Sequence, residues 1–200
     1  MNTTLKTLLD LDLSTLESAR ELVDPKYAHA IQISWELVVF YGAFLLVGLW
    51  LYWVYQKNND YKKKALSIFF TIMAVFILYA LINLGIPQWR PGAMEAVHGI
   101  APLIPHPIDN SFPSGHALFT WALLVALYRY FRHTSIIWVT AIIGVITLVS
   151  RVVGWVHYPG DILGGLFFGI IGGLIVVPLV QYIVTKTAPI FIKIASWIGL

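Results

Sequence analysis

The sequence predicts an all-α membrane protein, a bundle of five to six transmembrane helices preceded by an amphipathic interfacial helix. Three observations predict it. Hydrophobic residues make up 58% of the chain and charged residues 12%, far from the usage of a water-soluble domain. The apolar residues gather in runs close to the ~20 that a helix needs to cross the hydrocarbon layer. The charges fall between those runs, with the basic ones concentrated on one side. Such a chain has membrane lipids for surroundings and, as a 200-residue unit, reads as a single membrane-embedded domain with no nucleic-acid partner. The lack of cysteine removes structural disulfides and thiolate metal sites. Residues 1–35 lack the basic start, apolar run and small-residue site of a cleavable signal.

Within that N-terminal segment, residues 4–23 carry Leu5, Leu8, Leu9, Leu13, Leu16 and Leu22 at helical spacing, with Asp10, Asp12, Glu17 and Glu21 largely opposite. This predicts a surface helix that caps the bundle. Its acidic balance argues against a polybasic lipid anchor. The spans then follow at 36–56, 65–87, from the Pro113-Ser114-Gly115-His116 cluster to 130, 135–155 and 159–184. Pro159 suits the first turn of the last of these. Residues 188–200 are too short to cross alone and are expected in the interface or as a partial sixth helix, with Lys193 and Trp197 as anchors. Trp50, Trp53, Trp89, Trp138 and Trp155 fall near span ends and read as interface anchors. Gly165, Gly169 and Gly173, with Gly164 and Gly172, form a small-residue stripe suited to packing inside the bundle, a homodimer contact being the alternative to a monomer.

With five spans, the loops alternate between faces. Lys57, Lys62, Lys63, Lys64, Arg129, Arg132, Lys186 and Lys193 share one face with the acid Asp60. The positive-inside rule makes that face cytoplasmic. The other face, periplasmic or extracellular, carries Trp89-Arg90-Pro91, then Pro113-Ser114-Gly115-His116, then Ser150-Arg151 followed by His157 and Asp161. Nothing in hydropathy requires these three clusters to share a face.

Together they hold the parts of a metal-free phosphoryl-transfer centre. Two arginines in one pocket repel unless an anion lies between them, and guanidinium forks match phosphate oxygens. The backbone N–H groups at the start of the third span are helix-start donors aimed at the aqueous side. Gly115 admits a phosphate close to the backbone, and Ser114 suits a helix cap as well as a ligand. Two histidines can divide the tasks of nucleophile and acid, while a carboxylate orients one of them. The loop 92–112, rich in proline, is expected to cover the outer face, either as a plain connector or as a lid. Its Glu95 and Asp109 disfavour a second phosphate nearby unless they turn outward.

The pattern resembles the type 2 phosphatidic acid phosphatase family, across a motif region of about 83–161. The Pro-Ser-Gly-His cluster and the Ser-Arg, His, Asp cluster match that family's signature in full. The first cluster matches in Arg90-Pro91, with Asn83 where the family usually has lysine. The resemblance implies a lipid phosphatase that needs no cofactor. It implies His157 as the nucleophile of a phosphohistidine, Asp161 as its support and His116 as general acid. Phosphate contacts would come from Arg90, Arg151, Ser114, Gly115 and Ser150, with Asn83 supplying a hydrogen bond without charge. Gln88, His98 and His106 are further candidates to replace the lysine. The implied partner is an amphiphilic lipid phosphate: undecaprenyl pyrophosphate, phosphatidylglycerophosphate, phosphatidic acid or a lipid A phosphate. Competing readings are a metal hydrolase using His116, His157 and Asp161 as ligands, a serine hydrolase using Ser114, and a non-catalytic phospholipid binder or transporter that keeps the fold. Cationic arginines beside the pocket disfavour the metal, and the absence of a strand-to-helix elbow disfavours the serine.

Overall fold

The computed structural model describes residues 3–55, 59–94, 99, 101–104, 109–132 and 134–197. The described chain is helical, in the order α1 (Thr3–Glu21), α2 (Ala28–Ser34), α3 (Leu37–Tyr55), α4 (Asn59–Gly85), α5 (Gly115–Tyr130), α6 (Thr134–Val153) and α7 (Pro159–Trp197). Among the described residues, four stretches are long and apolar enough to cross a bilayer: Ala28–Tyr52, Asn59–Gly85, Ser135–Val153 and Pro159–Ile194. Phe44, Leu81, Ile142 and Leu174 are exposed on them, as suits helices whose outer surface meets lipid. The protein is an integral membrane protein.

The innermost element is α5. Its 16 residues span about 24 Å, short of the ~30 Å hydrocarbon layer. It packs against α7, α4, α6 and α3. Phe119, Leu123, Ala126, Leu127 and Tyr130 of α5 form one core with Val38 of α3, Ile68 and Ile72 of α4 and Val177 of α7. Polar side chains tie helices where lipid offers no alternative partner. The Tyr130 hydroxyl donates to the Val177 carbonyl at 3.1 Å, and the Val38 N–H donates to Thr147 Oγ1 at 3.1 Å.

The glycine stripe of α7 faces into this packing. A Cβ on Gly165 would stand 2.5 Å from the Ser114 carbonyl oxygen, and one on Gly169 2.6 Å from that of Leu118. The backbones of α5 and α7 therefore approach at distances that a side chain would forbid.

Several boundaries differ from the sequence reading. Helix α4 starts at Asn59, so Lys62, Lys63 and Lys64 are helical; hydropathy registers only the apolar part of a helix whose first turn holds Asp60. Residues 188–197 are not a separate interfacial element. They continue α7 through Pro178 and Pro189, because Val180, Val184 and Ala188 keep a four-residue stripe packed on Leu66 and Phe70 of α4. Trp155 is not an interface anchor: it is fully buried. Amphipathic α1 lies on α6 and α7, with Leu16 fully buried. Glu95, His98 and His106 lie outside the described residues.

Candidate active site

Four local devices bring the motif residues together. At the end of α6, Trp155 adopts φ 64°, a left-handed conformation that costs an L-residue ~1–2 kcal/mol. The chain folds back so that the N–H groups of Val156 and His157 both donate to the Arg151 carbonyl, at 3.0 and 3.2 Å. This sets His157 against Arg151. Gly154 makes the reversal possible, since a Cβ there would lie 2.6 Å from the Ser150 carbonyl oxygen.

Next, Asn110 joins the two arms of the loop between α4 and α5. Its Oδ1 accepts the Gln88 N–H at 2.7 Å, and its Nδ2 donates to the carbonyls of Ile86, at 2.8 Å, and Asn83. The Ser111 N–H donates to the Gln88 carbonyl at 2.7 Å. From these two arms Arg90 and Ser111 both reach the His157 ring.

At the start of α5, Ser114 caps the helix, its Oγ accepting the Ala117 N–H at 3.4 Å. Its own N–H donates to the Asp161 carbonyl at 3.0 Å. Finally, Asp12 of α1 accepts the Gly160 N–H at 2.7 Å, occupying a helix-start donor of α7.

The result is a cavity of ≈ 250 Å³ lined by Arg90, Asp109, Gly115, His116, Arg151 and His157, with Tyr79 and, from α3, α4 and α5, Val39, Phe76 and Phe119. One wall is cationic and another apolar, so the cavity suits an amphiphile. Behind it, Asp161 is fully buried and His157 is 1% exposed.

The neighbours of His157 bear on its tautomer. Arg90 Nη1 lies 3.0 Å from Nε2 and Arg151 Nη2 3.4 Å from it. Arg90 Nη1 is also 3.4 Å from Nδ1, so this guanidinium lies over the ring and does not itself select a tautomer. Nδ1 meets Asp161 Oδ2 at 3.2 Å, an acceptor that suits a proton on Nδ1 and a lone pair on Nε2. That oxygen also accepts the Tyr158 N–H at 2.9 Å and the Ser111 hydroxyl. Nε2 of the imidazole thus lies beside both guanidinium groups.

Among the residues read as phosphate contacts, Arg90, Arg151 and Gly115 line the cavity. Ser114 is spent on its cap, and the Ser150 hydroxyl donates to the Thr147 carbonyl at 2.7 Å. Asn83 is turned to the loop: its Nδ2 donates to the Phe112 carbonyl at 3.0 Å. Gln88 is engaged through its backbone.

Four residues enter the site that the motifs do not name as contacts. Asp109 does not turn outward but takes the Arg90 Nε–H. Ser111 buttresses Asp161, Tyr79 lines the cavity, and Glu36 reaches His116 and Arg151. Asp109 and Ser111 lie within five residues of the Pro-Ser-Gly-His cluster, a proximity that could have drawn attention to them. Glu36 offers no such signal. Among the described residues, no group of three or more His, Cys, Asp or Glu side chains is placed to hold a metal ion.

The profile of the PAP2 superfamily matches residues 64–185, which include all of these motifs. The chain is 36% identical over 142 residues to the undecaprenyl-diphosphatase BcrC of Bacillus subtilis, covering 70% of this chain and 68% of that protein. It is 32% identical over 132 residues to the putative undecaprenyl-diphosphatase YbjG of Escherichia coli, covering 65% of this chain and 62% of the relative. The fold matches the crystal structure of a transmembrane PAP2-type phosphatidylglycerolphosphate phosphatase from Bacillus subtilis, with a TM-score of 0.69, 21% identity and 88% of each chain covered. The chain belongs to the PAP2 superfamily, as a membrane-embedded lipid phosphatase.

Proposed function

We propose that the enzyme is an outward-facing diphosphatase of a polyprenyl carrier lipid, undecaprenyl diphosphate, and that it works through a phosphohistidine at His157. The observation that carries this reading is the setting of His157, whose Nε2 lies 3.0 Å from Arg90 and 3.4 Å from Arg151 while Asp161 meets Nδ1 at 3.2 Å. A terminal phosphate entering the cavity takes over the N–H donors of Arg90 and Arg151. Nε2 is then free to attack phosphorus.

As the N–P bond forms, the P–O bond to the lipid-linked phosphate breaks, and His116 protonates the departing oxygen. The arginines and the α5 start at Gly115 stabilise the charge on the equatorial oxygens. Water, deprotonated by His116, then cleaves the phosphohistidine. Ser114 and Ser150 support this arrangement from behind, and Asn83 serves the loop in the position where the resemblance implies a lysine.

The names of the two undecaprenyl-diphosphatase relatives support the substrate. The apolar wall of Val39, Phe76 and Phe119 gives a lipid tail a place beside the phosphate. The basic residues clustered on the opposite loops support the outward orientation.

The test is phosphate release by the purified protein in detergent, with chelator present. Undecaprenyl diphosphate would be compared with phosphatidylglycerophosphate, phosphatidic acid and a lipid A phosphate. Chelator-resistant release that is greatest from the diphosphate and disappears in His157→Ala is expected. Binding of these lipids without release from any of them would replace this reading with a non-catalytic lipid binder.

A further inference from the structure

Glu36 stands at the turn between α2 and α3, ahead of the matched region 64–185. Its Oε2 lies 3.0 Å from His116 Nε2 and its Oε1 3.6 Å from Arg151 Nη1. The adjacent Trp35 places its ring 4.9 Å from the Arg151 guanidinium. Two consecutive residues thus grip groups from two other helices. The Glu36 side chain is 28% exposed, and both of the groups it pairs with line the cavity. An anion there opposes substrate binding, and its placement calls for a compensating use.

The groups facing His116 supply one. Arg151 comes from α6, Arg90 from the segment after α4, and Tyr79, Asp109 and His157 share the cavity. Two guanidinium groups drive a proton off a nearby imidazole. Glu36 is the carboxylate within hydrogen-bond distance that opposes them, while Asp109 is committed to Arg90. Two carboxylate–histidine pairs therefore flank the cavity, Asp161 with His157 and Glu36 with His116.

We infer that Glu36 is a positioning residue for the general acid: it orients the His116 ring and keeps it protonated until the leaving oxygen takes the proton. The inference rests on the phosphohistidine reading above. In the first half-reaction the His157–P bond forms, the lipid P–O bond breaks, and the proton passes from His116 to the departing oxygen. In the second, water oxygen bonds phosphorus, the N–P bond breaks, and the water proton returns to His116. Glu36 stabilises the imidazolium at both ends of this cycle and transfers no proton of its own.

The experiment compares Glu36→Gln and Glu36→Asp in the full-length protein in detergent. For Glu36→Gln, kcat should fall roughly 10-fold or more, a share of the ~10²–10⁴ that general acid catalysis supplies. KM should stay unchanged or fall, since an anion beside the cavity has been removed. The alkaline limb of the kcat profile should move down by roughly one pH unit, a readout independent of how much of the variant is folded. Glu36→Asp should recover most of the loss, and Glu36→Gln should cost little more in a His116→Ala background. An NMR titration of the His116 ring should show the same downward shift without turnover. An unmoved alkaline limb and His116 titration, or a raised KM with kcat kept, overturns the inference. Activity that survives His157→Ala sinks the phosphohistidine reading instead, separately from any effect of Glu36.

Discussion

The backbone N–H of Ser114 donates to the backbone carbonyl of Asp161 at 3.0 Å. The residue that caps the helix of one histidine is therefore tied, main chain to main chain, to the residue that holds the other. The glycine stripe allows this, because α5 and α7 can touch through their backbones. The spacing between His116 and His157 is thus set by helix packing more than by loop conformation.

That relationship makes Gly165 critical. We expect Gly165→Val to lower stability by roughly 1–3 kcal/mol through overpacking, since even a Cβ meets the Ser114 carbonyl oxygen at 2.5 Å. It should also reduce kcat in the folded fraction, because α5 and α7 must part. Thermal unfolding in detergent, together with kcat per folded molecule, checks both.

Ser111 donates its hydroxyl to the carboxylate oxygen that meets His157. Ser111→Ala should leave KM within about twofold and lower kcat by roughly 10- to 100-fold, the loss of one hydrogen bond to a charged group. A selective rise in KM would show that Ser111 meets the substrate instead.

Arg90 and Arg151 differ in what else they hold. Arg90 Nη1 also donates to the Val156 carbonyl at 3.2 Å, so Arg90→Lys loses a loop tie as well as a phosphate fork. We expect KM to rise roughly 10- to 100-fold in either lysine variant. Arg90→Lys should lower the unfolding temperature by more than Arg151→Lys does. Equal thermal shifts in the two variants would contradict this division.

Asn83 serves the loop, so Asn83→Ala should cost about 1–2 kcal/mol of stability by leaving the Phe112 carbonyl short of its donor. Its KM should change little. An Asn83→Lys variant that turns over faster than the parent would show instead that the absent charge limits catalysis.

The chain has no cysteine, so Ala101→Cys, at an exposed position of the loop between α4 and α5, introduces a single thiol. A membrane-impermeant maleimide should label it in intact spheroplasts, whereas Tyr128→Cys on the opposite side should react only after lysis. The reverse pattern would invert the proposed orientation.

Much of this arrangement could be read from the residues. Apolar runs located the spans, and the alternation of loops put the three clusters on one face, where the structure gathers Arg90, His116, Arg151 and His157 around one cavity. What escaped was tertiary. Glu36 looks like the polar start of a span, and nothing local connects it to a histidine 80 residues away. Trp155 sits at a span end as an anchor would, yet the reversal after α6 buries it. The final residues seemed too short to cross, but packing on α4 extends α7 past two prolines. The role of Asn110 depends on two loop arms meeting, which no spacing encodes.

The resting cavity also has a consequence for how substrate arrives. Arg90 is matched by Asp109, and Arg151 and His116 by Glu36, so the side chains around the cavity approach electroneutrality among themselves. A site of that kind casts little long-range field and does not concentrate water-borne anions at its mouth. Capture then depends on lateral diffusion of an embedded lipid, whose tail supplies the affinity that brings its phosphate to displace the resident carboxylates. Selectivity against the abundant soluble phosphates outside the membrane follows from this, before any headgroup is recognised.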